Sequence, residues 1–474
     1  MNPNSTPSSQ AICLHPENPH YFLFRGQPTL LITSAEHYGS VINLDFDYLP
    51  YLDVLASAGL NCTRIYAGAY LEPEHYFIHD NPLGPPPGRH CLPWGRSPVP
   101  GYPLGGNLFD LESWNEEYFN RLKDFLSQAA RRGIVVEICL FNAMYPDTWA
   151  KMPLYFENNI QHVSRCACRD FQTLKDPALV AYQDAYVSKI TREVNEFDNV
   201  ILEICDEPGI HGTLPEEYTP WIAHLVAAIR ATERPLPVKH LIAQQVCGNL
   251  DGAGDFSGHP EVQVIVGQYI WEASGAQFGG MQLLDTKYDY QKPIELNETA
   301  YYPIWYEGDR AGASRVEGWE FIVGGGGSFN HLNGLFSTFN PAGAGTGNEP
   351  ILQALKNLKD FMYRFDFTRM RRDPSLLAEK LPGGAFARGM SEPGRQVALY
   401  LHHSRLAEIK YIVQPGDYQD SLVLNLAAGS YQADWVDPAT GSTLRSEQFQ
   451  HGGGVWQVVT PPFAVDIALR ILAA

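Results

Sequence analysis

Short apolar runs alternate with helical patterns over most of this chain, as far as about residue 365. Eight of the runs are rich in β-branched, aromatic or other apolar residues and are bounded by polar or turn-forming residues, which predicts β-strands. The predicted strands are Thr29–Ser34, Asn61–Tyr66, Ile134–Phe141, Asn199–Cys205, His240–Val246, Val262–Ile270, Lys292–Asn297 and Phe321–Asn330.

Helical periodicity fills most of the intervals between these strands. It is clearest in Trp114–Arg132, where apolar residues recur mostly three or four positions apart and Gly133 follows as a C-cap. The other predicted helices are Phe46–Ala58, Pro177–Glu196, Pro215–Thr232, a weaker one at Gln277–Tyr288 and a closing helix at Asn348–Phe367. This alternation predicts an α/β protein with a parallel sheet, most economically a (β/α)8 TIM barrel. An open doubly wound sheet is the alternative, but its glycine fingerprint is missing.

The pattern changes from about residue 375, where short alternating runs are separated by Pro-Gly, Asp-Pro and Ala-Thr-Gly turns. Such runs predict a small antiparallel β-sandwich. Its predicted strands are Gln396–Leu401, Ile409–Val413, Ser421–Leu426, Gly429–Val436 and Val455–Thr460. We therefore expect a catalytic barrel over residues 1–370 and a sandwich domain over residues 375–474, the latter with a packing role rather than a binding role.

A long connection follows the second predicted strand. Gly68–Asn107 holds nine prolines and seven glycines, and it leaves the end of a barrel strand where barrel active sites lie. Connections of this length in compact domains are usually functional or mobile. The segment is interpreted either as part of a substrate cleft wall or as a rigid decoration.

Composition narrows the class of partner. The chain has 474 residues, of which 45% are hydrophobic and 18% charged, so it can bury a large core. The formal net charge of −19 repels polyanions, so no nucleic-acid or anionic-membrane partner is expected. The sequence leaves the oligomeric state open.

The cellular location is predicted from the N-terminal residues and the cysteines. The first ten residues lack the basic and apolar regions of a signal peptide, and no run of 18 apolar residues occurs. The eight cysteines show neither a disulfide pattern nor a zinc-binding pattern. These features favour a reduced, cytoplasmic protein; a secreted protein whose signal has been removed is the alternative.

The sharpest chemical signal ends the fourth predicted strand. The run Asn199–Pro208 closes on the adjacent carboxylates Asp206 and Glu207 before a proline. In a regular strand Glu203, Cys205 and Glu207 share one face, which would point at the barrel axis. A partly desolvated Glu207 at the barrel mouth would have a raised pKa and suit a general acid.

A second carboxylate ends the seventh predicted strand, in the run "KPIELNE" at residues 292–298. Glu295 and Glu298 have opposite parity, so only one faces the axis of a regular strand, and Glu298 lies nearer the mouth. Glu207 and Glu298 are 91 residues apart, which fits about three βα units. Two carboxylates over one cleft are what glycoside cleavage requires: one protonates the leaving oxygen, and the other attacks the anomeric carbon or activates water.

The motifs "EICDEP" on strand four and "KPIELNE" on strand seven resemble those of the clan A (4/7 superfamily) glycoside hydrolases. Within that clan the chain looks like the apiosidase-like glycosidases, whose barrel precedes a small β-sandwich. The resemblance covers nearly the whole chain, but only the strand-four and strand-seven motifs are specific. The supporting stretches are "YFLFRGQPTLLITSAEHYGS", "FDLESWNEEYFNRLKDFLSQAARRGIVVEICLF", "DPALVAYQDAYVSKITREVNEFDNVILEICDEP" and "YQADWVDPATG". The resemblance implies a retaining glycosidase with Glu207 as acid/base and Glu298 as nucleophile.

The chain departs from the clan pattern at Asp206, where those enzymes usually carry an Asn that donates to the sugar 2-hydroxyl. An ionised Asp accepts from that hydroxyl but cannot donate. It also adds a negative charge beside Glu207, which would raise the pKa of the acid further. The substitution keeps the mechanism and leaves the substrate open.

Supporting residues are expected at the other strand ends. Arg64 shares a strand face with Tyr66 and would hold Glu298 ionised, a role that the resemblance also implies. Tyr269 would hydrogen-bond the nucleophile, and Trp271 and Trp305 would stack on a sugar ring. Further candidates for hydroxyl binding at the mouth are Glu36, His37 and Asn142. For each of these residues a purely structural role is the alternative.

The competing functions lack their motifs. A metal-dependent barrel hydrolase would need His-rich strand ends, and neither His-x-His nor His-Glu-x-x-His occurs. A serine hydrolase would need a Gly-x-Ser-x-Gly elbow, which is missing as well. A non-catalytic carbohydrate-binding barrel stays open as the alternative. The expected mechanism uses no metal or organic cofactor, and the expected partner is a carbohydrate substrate.

Overall fold

Eight parallel strands form one sheet in which each strand from the second onwards pairs with the next along the chain. The computed structural model describes residues 11–72, 78, 80–163, 165–246, 252–268, 280–299, 301, 306–381, 383–407 and 410–474, with the backbone alone of 270, 271, 277 and 278. The strands are β1 (Leu31–Ala35), β2 (Cys62–Tyr66), β3 (Val135–Asn142), β4 (Val200–Asp206), β5 (Leu241–Gln245), β6 (Val264–Gly267), β7 (Ile294–Thr299) and β8 (Ser328–Leu332). The last strand, β8, returns to pair with β1.

Asn61 bridges the remaining gap between β1 and β2. Its backbone N–H donates to Ile32 O at 3.3 Å, and its side-chain Oδ1 accepts from the Ile32 N–H at 3.0 Å. Its Nδ2 also donates to Leu30 O at 2.8 Å. One polar side chain thus supplies the hydrogen bonds that a missing strand pairing would make, and the sheet curls into a (β/α)8 barrel.

Helices pack around the barrel in chain order. They are α1 (Tyr48–Ser57), α2 (Glu116–Arg131), the short α3 (Pro146–Trp149), α4 (Pro177–Val194), α5 (Pro215–Glu233), α6 (Gly280–Lys287), α7 (Arg310–Val323) and α8 (Glu349–Met362). Local sequence sets several starts: Asp47, Asn115, Asp176 and Asp309 each accept hydrogen bonds from first-turn N–H groups. Proline stands in the first turn of α4, α5 and α8, where no donor is lost.

One predicted element is wrong. The run Phe321–Asn330 was expected to form the eighth strand, but Phe321 to Val323 close α7, and the strand runs over Ser328–Leu332. The glycines in Arg310–Val323 weaken its helical pattern in the sequence. In the fold Gly318 has a packing reason, because a Cβ there would stand 3.0 Å from the Phe329 ring and 3.2 Å from Leu355.

The proline-rich connection after β2 carries regular structure in its described part. It contains the first strand of a hairpin, Trp94–Pro100. The second strand, Asn107–Trp114, begins where the connection ends. Trp94 anchors this hairpin on the barrel, because its buried ring stacks on Tyr186 at 5.1 Å between centroids. The connection is therefore built into the barrel wall on one side.

An antiparallel sheet of six strands follows the barrel. Its order is Arg371–Arg372, β9 (Phe386–Glu392), β10 (Gln396–His402), β13 (Asp466–Ala473), β11 (Ser421–Val436) and β12 (Thr443–Val459), and a hairpin of Arg405–Ala407 with Lys410–Ile412 stands beside it. The runs predicted as Ser421–Leu426 and Gly429–Val436 form one continuous strand. The first residue of the predicted strand Ile409–Val413 lies outside the described residues, which resume at 410. A separate core, with Leu424, Trp435 and Leu469 at its centre, lies under the sheet.

Polar contacts join this sheet to α7. Arg315 pairs with Asp466 through two nitrogens at 2.9 to 3.2 Å, and Tyr400 Oη donates to the same carboxylate at 2.7 Å. Glu320 accepts from Tyr411 and lies 3.2 Å from His402 Nε2. The expected fold class was a (β/α)8 barrel followed by a small antiparallel β-sandwich. The barrel and the antiparallel architecture after it are confirmed; the described strands there form one six-stranded sheet and a two-stranded pair. In the described part of the chain, every helix is too short or too polar to cross a membrane.

Candidate active site

A buried arginine stands at the centre of the barrel mouth. Arg64 on β2 is 1% exposed, and its Nε donates to Glu203 Oε2 at 2.7 Å. Its Nη2 lies 2.8 Å from Asp206 Oδ1, and its Nη1 lies 3.5 Å from Glu298 Oε2. The rings of Tyr38 and Tyr66 flank the guanidinium within 5.4 Å. One cation thus joins the ends of β4 and β7, which are far apart in sequence.

Asp206 is held by one ion pair and two hydrogen bonds. Besides Arg64, Tyr66 Oη donates to its Oδ2 at 2.5 Å and Asn142 Nδ2 at 3.3 Å. Asn142 Nδ2 also donates to Tyr66 Oη at 3.0 Å, so the three side chains form one network. The predicted residue Asn142 therefore lies in the site, where it contacts Asp206.

The end of β4 departs from regular alternation. Glu203 and Asp206 both contact Arg64, although their parity differs. Cys205 points to the helix side, where its Sγ accepts from Gln172 Nε2 at 2.9 Å. The prediction that Glu203, Cys205 and Glu207 share one strand face is therefore wrong for the residues after Glu203. The alternation changes before the strand ends, and Asp206 takes the inward position.

A similar irregularity occurs on β7. Glu295 accepts from Ser328 Oγ at 3.0 Å, Asn297 Nδ2 donates to Glu203 at 3.3 Å, and Glu298 lies beside Arg64. The pairing of β7 with β8 shifts register between Leu296 and Thr299. Because of this shift, Glu295 and Glu298 both face the barrel interior, whereas the sequence argument allowed only one of them.

Glu207 follows β4 in a left-handed backbone conformation, with φ of 48°. This conformation costs a non-glycine residue roughly 1–2 kcal/mol and often marks a functional site. Two hydrogen bonds fix Glu207: its N–H donates to Gln245 Oε1, and Tyr145 Oη donates to its carboxylate at 3.4 Å. Gln245 is in turn fixed by Gln268, at 2.6 Å.

Solvent access separates Glu207 and Glu298 from the neighbouring carboxylates. The side chain of Glu298 is 12% exposed and Glu207 is half-buried, whereas Glu203 and Asp206 are sealed. Glu137 and Glu295 are buried deeper in the barrel. Among the carboxylates around Arg64, Glu207 and Glu298 are thus the two that a ligand at the mouth can reach.

The electrostatics favour a state in which Glu207 and Glu298 carry one proton between them. Burial raises the pKa of Glu207 to about 8, with further contributions from the charges of Asp206 and Glu72. Burial also raises the pKa of Glu298, as do Asp206 and Glu207, while Arg64 opposes the rise. When Glu207 carries the proton, its repulsion of Glu298 vanishes and the guanidinium favours an ionised Glu298. The arrangement can therefore hold one acid and one carboxylate near each other at the barrel mouth.

Glu72 is a site residue that sequence reasoning missed. It follows β2, is 4% exposed and accepts from Tyr70 Oη at 3.0 Å and Asn81 Nδ2 at 2.6 Å. Its Oε2 also lies 3.0 Å from His37 Nε2, so His37 reaches the site through this carboxylate. The only sequence signal was the length of the connection that carries Glu72. That connection therefore contributes to the site as well as to the barrel wall.

Glu36 has a local structural role in this fold. Its carboxylate accepts from the Ser40 hydroxyl at 2.6 Å and from the backbone N–H groups of Gly39 and Ser40 at 3.0 and 3.2 Å. It is fully buried, and burial raises its pKa to about 7. These hydrogen bonds hold the turn after β1. The buried position of the Glu36 side chain does not support the predicted binding of a sugar hydroxyl.

Three predicted residues cannot be placed as side chains. Tyr269 and Trp305 lie outside the described residues. Trp271 is described by its backbone, which pairs in a short strand, Ile270–Trp271, with Gln277–Phe278. Their expected contacts with the nucleophile or with a sugar ring stay predictions.

The fold resembles that of known glycosidases. One solved glycoside hydrolase aligns with a TM-score of 0.65 at 13% identity, over 98% of this chain and 97% of that one. A family 5 glycoside hydrolase from Bacteroides vulgatus ATCC 8482 gives 0.64 at 14%, over 98% and 93%. An endo-1,4-β-mannanase from Rhizomucor miehei gives 0.50 at 14%, over 75% and 100%. At these identities the likeness concerns the fold. No protein-family model matches this sequence, and no curated protein matches it.

Proposed function

We propose that this protein is a retaining glycoside hydrolase that cleaves O-glycosidic bonds of glycosides or oligosaccharides. The observation that carries the proposal is the exposure of Glu207 and Glu298 at one mouth, within a buried network centred on Arg64. The similarity in fold to glycoside hydrolases supports it. The partner is then a carbohydrate substrate.

In the first step Glu207, as a carboxylic acid, gives its proton to the glycosidic oxygen. Glu298, as a carboxylate, attacks the anomeric carbon, the bond to the leaving oxygen breaks and a glycosyl ester forms. The raised pKa of Glu207 keeps its proton at neutral pH. Arg64, 3.5 Å from Glu298, stabilises the attacking carboxylate.

In the second step Glu207, now a carboxylate, takes a proton from water as that water attacks the anomeric carbon. The ester bond to Glu298 breaks, and Glu207 regains its proton. Esterification of Glu298 removes a negative charge near Glu207 and lowers its pKa, which suits the change from acid to base. Two inversions at one carbon give net retention.

The narrower assignment to the apiosidase-like glycosidases is also a proposal. It rests on the sequence resemblance and on the antiparallel sheet that follows the barrel. Asp206 cannot replace the amide donor of related enzymes, and here its carboxylate is already occupied by Arg64, Tyr66 and Asn142. A substrate that needs no donor at this position is therefore favoured.

The test is a panel of nitrophenyl glycosides, with the anomeric form of the first product followed by NMR. Hydrolysis with retained configuration supports the proposal, and an inverted product contradicts the nucleophilic role of Glu298. Wild-type protein that binds sugars without cleaving any panel member would favour the alternative, a non-catalytic carbohydrate-binding barrel. Activity that persists with a chelator present argues against a metal-dependent hydrolase.

A further inference from the structure

A cavity of about 290 Å³ lies among the connections at the barrel mouth. Its walls come from the connections that follow β1, β2 and β8, which are neighbours in the barrel. They include Asn43 and Asp45 after β1, Asn81 after β2, and Thr338 and Phe339 after β8. These connections leave the carboxyl ends of the strands, the face at which Glu207 and Glu298 lie.

Phe339 is the most exposed large apolar residue among those that the structure describes, at 85%. The turn that carries it is fixed by Asn340, whose N–H donates to Ser337 Oγ at 3.1 Å and whose Nδ2 donates to Ala344 O at 2.9 Å. The Ala344 N–H donates back to Asn340 Oδ1 at 3.1 Å. A bare aromatic ring is thus presented to water on a built turn, at the edge of a cavity.

The lining residues after β1 are polar, and hydrogen bonds hold them in place. Asn43 is fully buried; its Nδ2 donates to Pro82 O at 2.9 Å, and its Oδ1 accepts from the Asp45 N–H at 2.9 Å. The Asp45 carboxylate is held by Arg89 Nε at 2.7 Å. Carboxylate oxygens accept more than one hydrogen bond, so this wall offers acceptors to hydroxyl groups.

An aromatic ring and acceptor groups that line one cavity suit a sugar ring, which presents C–H groups on its faces and hydroxyls at its edge. The volume is close to the lower limit for small-molecule sites, roughly 300 Å³, which is enough for a single sugar unit. Asn81 connects the two sites, because it lines the cavity and its Nδ2 donates to Glu72 at 2.6 Å. Glu72 in turn raises the pKa of Glu207.

We propose that this cavity is a distal sugar subsite, in which Phe339 stacks on one unit of an oligosaccharide whose scissile bond lies at Glu207 and Glu298. The inference rests on the proposed function and narrows its substrate class to oligosaccharides long enough to span both places.

The binding test uses the Glu298→Gln protein, so that ligands stay intact, and calorimetry with β-1,4-linked tetrasaccharides of glucose, mannose, galactose and xylose. At least one should bind, and adding Phe339→Ala should raise its Kd by roughly 5- to 10-fold. Phe339→Trp should keep the Kd within about 2-fold of the parent value, because the stacking face remains. The control Val455→Ala, at an exposed apolar position in the C-terminal sheet, should not change binding. An unchanged Kd in Phe339→Ala, or no binding by any of the four, overturns the subsite.

The kinetic test compares a tetrasaccharide with a nitrophenyl monoglycoside of the same sugar. Phe339→Ala should lower the ratio of their kcat/KM values by roughly 5- to 10-fold. An equal loss on both substrates overturns the proposal, because the ring would then act at the catalytic centre. Failure of the proposed function looks different: no glycoside is cleaved, whatever residue stands at 339.

Discussion

The guanidinium of Arg64 lies 2.8 Å from Asp206 Oδ1, and both side chains are sealed from solvent. This ion pair determines which carboxyl groups at the barrel mouth the Arg64 cation balances. Arg64 also pairs with Glu203 and Glu137 and lies near Glu298, so one cation serves four carboxylates. Because one positive charge cannot balance all of them, the remaining carboxyl at the mouth, Glu207, is favoured as the proton carrier.

Glu298→Gln should lower kcat on nitrophenyl glycosides by about 10⁴-fold, since an amide cannot form the glycosyl ester. The matched control is Glu295→Gln on the same strand. Burial raises the pKa of Glu295, so a neutral amide resembles the protonated form that the raised pKa favours. It should keep kcat within about 10-fold of wild type. Equal losses in the two variants, at equal thermal stability, would remove Glu298 from the mechanism.

Glu207→Gln should lower kcat by roughly 10²- to 10⁴-fold on substrates with a poor leaving group. The loss in the first step should shrink on a dinitrophenyl glycoside, whose leaving group needs no proton. Added azide should then restore turnover and give a glycosyl azide, because an anionic nucleophile needs no general base. A loss that is independent of the leaving group would contradict the role of Glu207 as acid.

The pH profile should be bell-shaped. Activity requires protonated Glu207, and its pKa of about 8 places the basic limb near pH 8, with loss as pH rises through that value. Activity also requires ionised Glu298, whose raised pKa places the acidic limb above the ordinary carboxyl value of about 4.3. The measurement is kcat/KM against pH at constant ionic strength, and a basic limb below pH 6 would be inconsistent with the raised pKa of Glu207.

Asp206→Asn should move the basic limb to lower pH. The charge of Asp206 raises the pKa of Glu207, so its removal lowers that pKa and the acid form is lost earlier as pH rises. Glu72→Gln should shift the limb in the same direction by a smaller amount, since Glu72 contributes less. An unmoved limb in both variants would show that Glu207 does not set it.

Arg64→Met should destabilise the fold by about 3–5 kcal/mol, because it leaves Glu203 and Asp206 buried without their cation. The loss should lessen at low pH, because burial raises the pKa of Glu203 and so favours its neutral form there. Lys356→Gln removes an exposed pair with Asp360 and should cost less than about 1 kcal/mol. Urea unfolding at pH 5 and pH 8 measures both, and similar costs for the two variants would contradict the central role of Arg64.

Much of the fold was predictable because its signals are local. Seven of the eight barrel strands coincide with β-rich runs that are bounded by turn residues. Several helices begin at capping Asp and Asn side chains. The predicted strand Phe321–Asn330 failed because the glycines of α7 weaken a helical pattern whose reason is long-range packing against Phe329 and Leu355. Ser421–Val436 appeared as two runs since its small residues interrupt the alternation that strand pairing restores.

The sequence by itself determined that Glu207 and Glu298 lie at or next to the ends of two β-strands, because adjacent residue types set strand ends. Only the tertiary structure decided which neighbouring carboxylates face inward. The alternation changes near the end of β4, and the pairing of β7 with β8 shifts register, so Asp206 points inward and Glu295 and Glu298 share the interior. It also brought Glu72 to His37, across 35 residues. Such placements depend on strand pairing and loop packing between distant segments, which no local pattern encodes.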